Sequence, residues 1–249
     1  MTALLAIDSL SKRFGGVQAT DGVSLQIDAG EIHALIGPNG AGKTSLINQL
    51  SGAIKPDRGR IVLRGEDITA LSVHARVARG LTRSYQITRL FGSMTALENI
   101  ALAVQARSGS SLSFWRPVVR EHALFDEARE LLGELGLAAR ADSRADELAH
   151  GEQRALEVGL ALATRPALLL LDEPLAGTGP EESARMVALI ETIRQKTTVL
   201  LVEHDVDAVF RLADTVSVLV HGSVIASGAP QAVRDDPAVI TAYLGDENR

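Results

Sequence analysis

The stretch Gly37-Pro38-Asn39-Gly40-Ala41-Gly42-Lys43-Thr44, followed by Ser45, has the spacing G-x-x-x-x-G-K-[ST]. Residues 31–36 before it read as a strand. After Gly42, the residues Leu46, Ile47 and Leu50 fall on one helical face, with Gly52 as a terminator. A strand, a glycine-rich loop and a helix in that order make a phosphate cradle. The glycines let main-chain N–H groups curl around an anion, the helix N-terminus adds partial positive charge, and Lys43 adds a full one. Thr44 offers a hydroxyl to Mg2+. The competing reading, an ordinary glycine-rich turn, does not account for the flanking strand and helix.

A second element carries acids. Residues 168–174 read Leu-Leu-Leu-Leu-Asp-Glu-Pro, an apolar strand ending in Asp172 and Glu173. Alone, such a pair is also a common helix cap. Beside a phosphate loop it reads as a Walker B element, in which Asp172 holds Mg2+ through water and Glu173 polarises the water that attacks a terminal phosphate.

The rest of the chain supplies the setting. Residues 4–10, 19–27 and 31–36 read as strands, so the start is β-rich. Residues from about 95 to 162 form a helical block, clearest where Leu124, Phe125, Ala128, Leu131, Leu132 and Leu135 share a face and Gly136 follows as a stop. From Ala167 onward strand and helix alternate: 168–171, 181–194, 199–202, 206–212 and 216–220. The uninterrupted apolar runs at 168–171 and 199–202 suit parallel strands covered on both faces.

Composition narrows the function classes. Over 249 residues, 25 Lys plus Arg against 31 Asp plus Glu leave a net charge of -6, which argues against a general nucleic-acid coat. The absence of cysteine excludes disulfides, thiolate metal sites and a cysteine nucleophile. The six histidines show no paired ligand spacing. No run approaches the ~18 apolar residues that span a bilayer, so the chain reads as cytoplasmic.

Between the two phosphate-site elements, Leu148-Ala149-His150-Gly151-Glu152-Gln153-Arg154 resembles the L-S-x-G-Q/E signature of ATP-binding cassette (ABC) ATPases. Gln86, in Ser84-Tyr85-Gln86, resembles that family's Q-loop residue, His204 its switch histidine, and Phe14 its adenine-stacking aromatic. The similarity extends over essentially the whole chain. Several segments look like the ATPases of bacterial branched-chain amino-acid importers: Lys12-Arg13-Phe14-Gly15-Gly16, Arg89-Leu90-Phe91, Met94-Thr95 to Glu98-Asn99, Glu203-His204-Asp205 and Ala242-Tyr243-Leu244-Gly245.

The resemblance implies an α/β fold in a single ABC ATPase domain, residues 1–249. Its P-loop NTPase (RecA-like) core spans 1–88 and 161–249, with an N-terminal antiparallel β subdomain and an inserted α-helical signature subdomain at about 89–160. It implies ATP and Mg2+ as cofactors. Phe14, Gly37, Pro38, Asn39, Gly40, Ala41, Gly42, Lys43, Thr44 and Ser45 bind nucleotide, and Ala149, Gly151 and Glu152 approach the nucleotide of a second ABC subunit. Thr44, Gln86 and Asp172 surround the metal, and Glu173 and His204 serve hydrolysis. It further implies transmembrane permease subunits docking near residues 86–100, a place on the inner face of the bacterial plasma membrane, and no nucleic-acid partner. Leu90 and Phe91 are either apolar docking contacts or packing within the helical subdomain. Amide or urea import, lipid export and, more remotely, a non-transport ABC protein remain alternatives.

Two positions depart from the family pattern. Ala149 stands where the signature has serine, and Gly179 where the segment after Walker B usually has Asp or Asn. Both lie on the surface offered to a partner's nucleotide. A heterodimer with unequal sites is therefore expected over a homodimer. Arg107, Trp115, Arg116 and Arg120 flank the polar insert 108–113, where either lipid headgroups or solvent would meet them.

Overall fold

In the computed structural model, which describes residues 3–84, 90–107 and 119–244, the strand leading into the phosphate loop, Ile32–Ile36 (β3), is buried at every position. It sits inside a sheet of order β10-β9-β3-β8-β7-β6. The other members are Leu81–Ser84 (β6), Leu168–Asp172 (β7), Thr198–Val202 (β8), Thr215–Val220 (β9) and Ser223–Gly228 (β10). Strands β6, β7, β8, β3 and β9 run parallel, and β10 closes the edge antiparallel to β9. Leu168–Asp172 and Thr198–Val202 are wholly buried, as continuous apolar runs require when both faces are covered.

A second sheet, of order β2-β1-β4-β5, is antiparallel and built from Leu5–Phe14 (β1), Val17–Ile27 (β2), Arg58–Leu63 (β4) and Glu66–Asp67 (β5). It packs with Lys43–Ser51 (α1) and one face of the parallel sheet, through Leu35, Leu46, Ile61, Leu170 and Leu200. The opposite face, through Leu169, Leu171, Val199 and Leu201, meets Ala96–Arg107 (α3), Val119–Glu134 (α4), His150–Leu162 (α5) and Pro180–Ile193 (α6). Val73–Ala78 (α2), Val206–Leu212 (α7), Pro230–Arg234 (α8) and Pro237–Leu244 (α9) complete the described helices. The fold is thus a P-loop NTPase-type α/β core with an antiparallel β layer and a helical layer.

Some local expectations change. The first strand continues past Leu10 to Phe14, with register shifts that carry the chain through its polar end. Strands β4, β6 and β10 escape periodicity because charged residues, glycine or serine dilute their apolar positions. The helical block is interrupted by tight 3-10 turns at Ala138–Arg140 and Ala145–Glu147. Gly52 and Gly136 do end helices, with φ of 83° and 72°, a region glycine enters without a Cβ penalty.

Candidate functional site

Because β3, β7 and β8 are adjacent and parallel, their carboxyl ends emerge side by side, where open α/β sheets place ligand sites. The phosphate loop follows β3, Glu173 follows β7, and His204 follows β8. Phe14, Gly42, Lys43, Thr44, Glu173 and His204 line one cleft of about 330 Å³, together with Asn39–Ala41, Ser45 and the end of the β1–β2 hairpin.

The loop is shaped for close backbone approach. A Cβ on Gly37 would lie 2.0 Å from the Leu219 carbonyl oxygen, and one on Gly42 would lie 2.1 Å from that of Ala19. Lys43 Nζ donates to the carbonyls of Gly37 at 2.6 Å and Pro38 at 3.0 Å, bracing the loop from inside. Burial lowers the Lys43 pKa, opposed by the charges of Glu173 and Asp172. Phe14 is 45% exposed, with Lys12 Nζ 5.5 Å from its ring centre, so a flat apolar face remains open beside the loop.

The acids are held differently. Asp172 is buried, and its Oδ2 accepts from Arg83 Nη2 at 2.6 Å. Arg83 Nη1 also donates to Asn48 Oδ1 at 2.6 Å. Glu173 has φ of 51°, an uncommon conformation for a residue with a side chain, and its Oε1 lies 2.5 Å from His204 Nε2. Glu203, the residue before His204, is buried. Its Oε1 accepts from Leu175 N at 2.6 Å and its Oε2 from His204 N at 3.0 Å. Burial raises the Glu203 pKa, against the pull of those amides.

No group of three or more acids and histidines able to cage a metal occurs among the described residues. A Mg2+ bound together with phosphates needs only one or two protein oxygens and takes the rest from phosphate and water. Thr44, in the cleft, and Asp172, paired with Arg83 at the end of β7, each carry an oxygen of that kind, while Gln86 lies outside the described residues.

The signature segment stands apart from this cleft, at the start of α5. Ala149 is the N-cap, and Glu152 Oε2 accepts from Ala149 N at 3.0 Å. Alanine has no acceptor to return to the helix, so one half of a capping box is missing. Arg140 Nε holds Glu152 from outside at 3.1 Å. Glu152 bonds its own helix terminus, and Ala149, Gly151 and Glu152 together line a groove of about 400 Å³ against α6. Gly179 is the N-cap of α6 with Pro180 behind it, and nothing lies within 4 Å of a Cβ placed there.

A family model described as "ABC transporter" matches residues 20–176. The chain belongs to the ABC transporter family. A second model, "Branched-chain amino acid ATP-binding cassette transporter", matches residues 223–248 of this cassette. The cassette is 40% identical over 250 residues to the high-affinity branched-chain amino acid transport ATP-binding protein BraF of Pseudomonas aeruginosa, covering 98% of each chain. It is 36% identical to the lipopolysaccharide export system ATP-binding protein LptB of Acidithiobacillus ferridurans, covering 99% of each. Among solved structures, the ADP conformation of the ATP-binding cassette MJ1267 superposes with a TM-score of 0.86 at 30% identity, over 98% of this chain and 100% of that one. The cassette binds nucleotide and hydrolyses ATP, as the family does.

Asn48, Arg83, Arg154 and Glu203 were not expected at the site. Glu203 has a sequence signal, an acid closing an apolar strand, and Arg154 falls within the signature segment 148–154, whereas Asn48 and Arg83, on α1 and β6, are brought near only by packing.

Proposed function

We propose that this cassette energises a membrane importer of branched-chain or related amino acids. The observation that carries the nucleotide site is the convergence of Phe14, the phosphate loop, Glu173 and His204 on one cleft. In this reading Phe14 stacks on adenine, and residues 37–45 hold the phosphates through backbone N–H groups and Lys43. Glu173 polarises the attacking water and His204 contacts the γ-phosphate. Thr44, Asp172 and Gln86 would hold Mg2+, which would neutralise charge on the phosphates.

Solute class is supported by the full-length similarity to BraF and by the match at 223–248. Two cassettes close head to tail over two nucleotides, each signature facing the partner's phosphates. ATP bridges the closed pair and ADP does so poorly, and that differential affinity drives the permease. The helical part, about 89–160, moves against the core, 1–88 and 161–249. Permease subunits dock near 86–100, where Leu90 is partly buried against the apolar cluster shared by the helical layer and the sheet while Phe91 is 57% exposed, with its backbone pinned by Asn99. None of the described helices is long and apolar enough to cross a membrane. The cassette sits at the inner face of the plasma membrane through that docking.

Ala149 and Gly179 favour a heterodimer in which the site closed by this signature is the slower one. A missing hydrogen bond to a charged phosphate costs about 1.5–3 kcal/mol, or roughly 10- to 150-fold. With the assembled transporter in proteoliposomes, ATP hydrolysis should rise with leucine, isoleucine or valine and not with lipopolysaccharide. The reverse response would favour lipid export, for which the similarity to LptB is the supporting observation. In the same assay Ala149→Ser should speed turnover, and no gain would count against the unequal-site reading.

A further inference from the structure

The turn that carries Glu173 is clamped from two directions, and the clamps belong to different layers of the molecule. From the core side, Glu173 N donates to Val202 O at 2.8 Å and Leu175 N to Glu203 Oε1 at 2.6 Å. From the helical side the hold comes from Arg154, the fifth residue of α5. Its Nη2 donates to the Glu173 carbonyl, and its Nη1 to the Ala176 carbonyl at 3.2 Å. A left-handed φ on a residue with a side chain is unfavourable and persists only where its surroundings over-determine it. At Glu173 those surroundings are the two clamps.

We propose that Arg154 is a positioning residue for hydrolysis, which ties the main chain of Glu173 to the helix that presents the signature surface. The core clamp joins parts of one sheet and cannot report on anything outside it. Arg154 differs because its helix begins at Ala149 and Gly151, one turn earlier. A helix is stiff over one turn, so displacement of its N-terminus is passed to the guanidinium and from there to the Glu173 carbonyl. The orientation of the Glu173 carboxylate toward His204 thereby depends on where α5 lies against the core. Arginine suits the task because its planar, pre-organised fork holds two carbonyl oxygens three residues apart in a fixed geometry. The proposal rests on the reading of Glu173 as the water-polarising carboxylate.

The test compares Arg154→Met, Arg154→Lys and Glu173→Gln in the full chain assembled with its partner subunits. It measures kcat and KM for ATP, affinity for a fluorescent ATP analogue, and hydrogen exchange of the backbone amides at 176–178. Arg154→Met should lower kcat about tenfold or more, leave KM and analogue affinity within about twofold, and speed exchange in that turn. Arg154→Lys should recover part of kcat. A kcat and turn exchange unchanged by Arg154→Met would overturn the proposal while leaving Glu173 in place, provided Glu173→Gln abolishes turnover. A loss of kcat accompanied by an equal loss of affinity would also overturn it, marking Arg154 as packing only. Full turnover in Glu173→Gln would remove both the proposal and the reading beneath it.

Discussion

His204 Nε2 lies 2.5 Å from Glu173 Oε1, joining the segments that follow two adjacent parallel strands across the mouth of the nucleotide cleft. The pair fixes one carboxylate oxygen and leaves the imidazole at the surface of the cleft. Glu173→Gln keeps the shape and removes the basicity. Phosphate release should fall about 100-fold or more, while affinity for a fluorescent ATP analogue stays within a few-fold. His204→Ala should also slow release, with a smaller change in affinity than any substitution of Lys43. Phosphate release unchanged in both variants would dissociate this pair from hydrolysis.

Ala149→Ser has a second consequence, separate from phosphate contact. With Glu152 already bonded to the N-cap amide, a hydroxyl at 149 would complete the capping box of α5. The gain should be about 1 kcal/mol, seen as a rise in Tm of roughly 2–4 °C in the nucleotide-free chain. Differential scanning calorimetry without nucleotide separates this from any catalytic effect.

Glu157, on α5 beside Arg154, has its carboxyl pushed up to about 7 by burial, with Arg154 opposing the shift. The unfolded chain gives up this proton near the ordinary value of 4.5, so stability falls as pH rises from there toward 7. Glu157→Gln mimics the neutral form. Its urea midpoint should match the parent at pH 4, exceed it increasingly toward pH 7, and hold that advantage above. A difference independent of pH would place the effect elsewhere.

Arg76 is 1% exposed, and its guanidinium donates to the carbonyls of Gln49, Leu50, Thr69 and Leu71. Two of these belong to the last turn of α1, the helix that follows the phosphate loop. Arg76→Met would leave buried carbonyls unpartnered. The cost should be about 3 kcal/mol, a Tm lower by roughly 6–12 °C, with weaker nucleotide binding at temperatures where the variant is still folded.

Legibility followed the range of the interactions. The helix at 206–212 was read with both ends correct, because Asp205 caps it locally through Ala208 N. The uninterrupted apolar runs 168–171 and 199–202 mark the strands Leu168–Asp172 and Thr198–Val202, each run one residue short at one end. Strand β6 is not legible in the sequence, since Leu-Thr-Arg-Ser has no pattern of its own and is a strand only because β7 lies beside it. From its place beside the polar insert 108–113, Arg107 is expected to meet lipid headgroups or solvent. It is instead bonded to Glu127 and to the Ala163 carbonyl, partners far along the chain. Trp115, Arg116 and the insert 108–113 lie outside the described residues.

The sequence by itself determined the phosphate loop, the acids after the buried strand and the order of strands and helices. Each of these is written in contiguous residues whose spacing the backbone geometry dictates. Tertiary structure alone decided that Arg83 reaches Asp172, that Glu203 ties His204 to the turn at Leu175, and that Arg154 spans from the signature helix to Glu173. Those contacts depend on the parallel order of β6, β7 and β8 and on the packing of α5 against them. No local pattern records such contacts, because the free energy that brings the partners together comes from burying apolar surface elsewhere on the same elements.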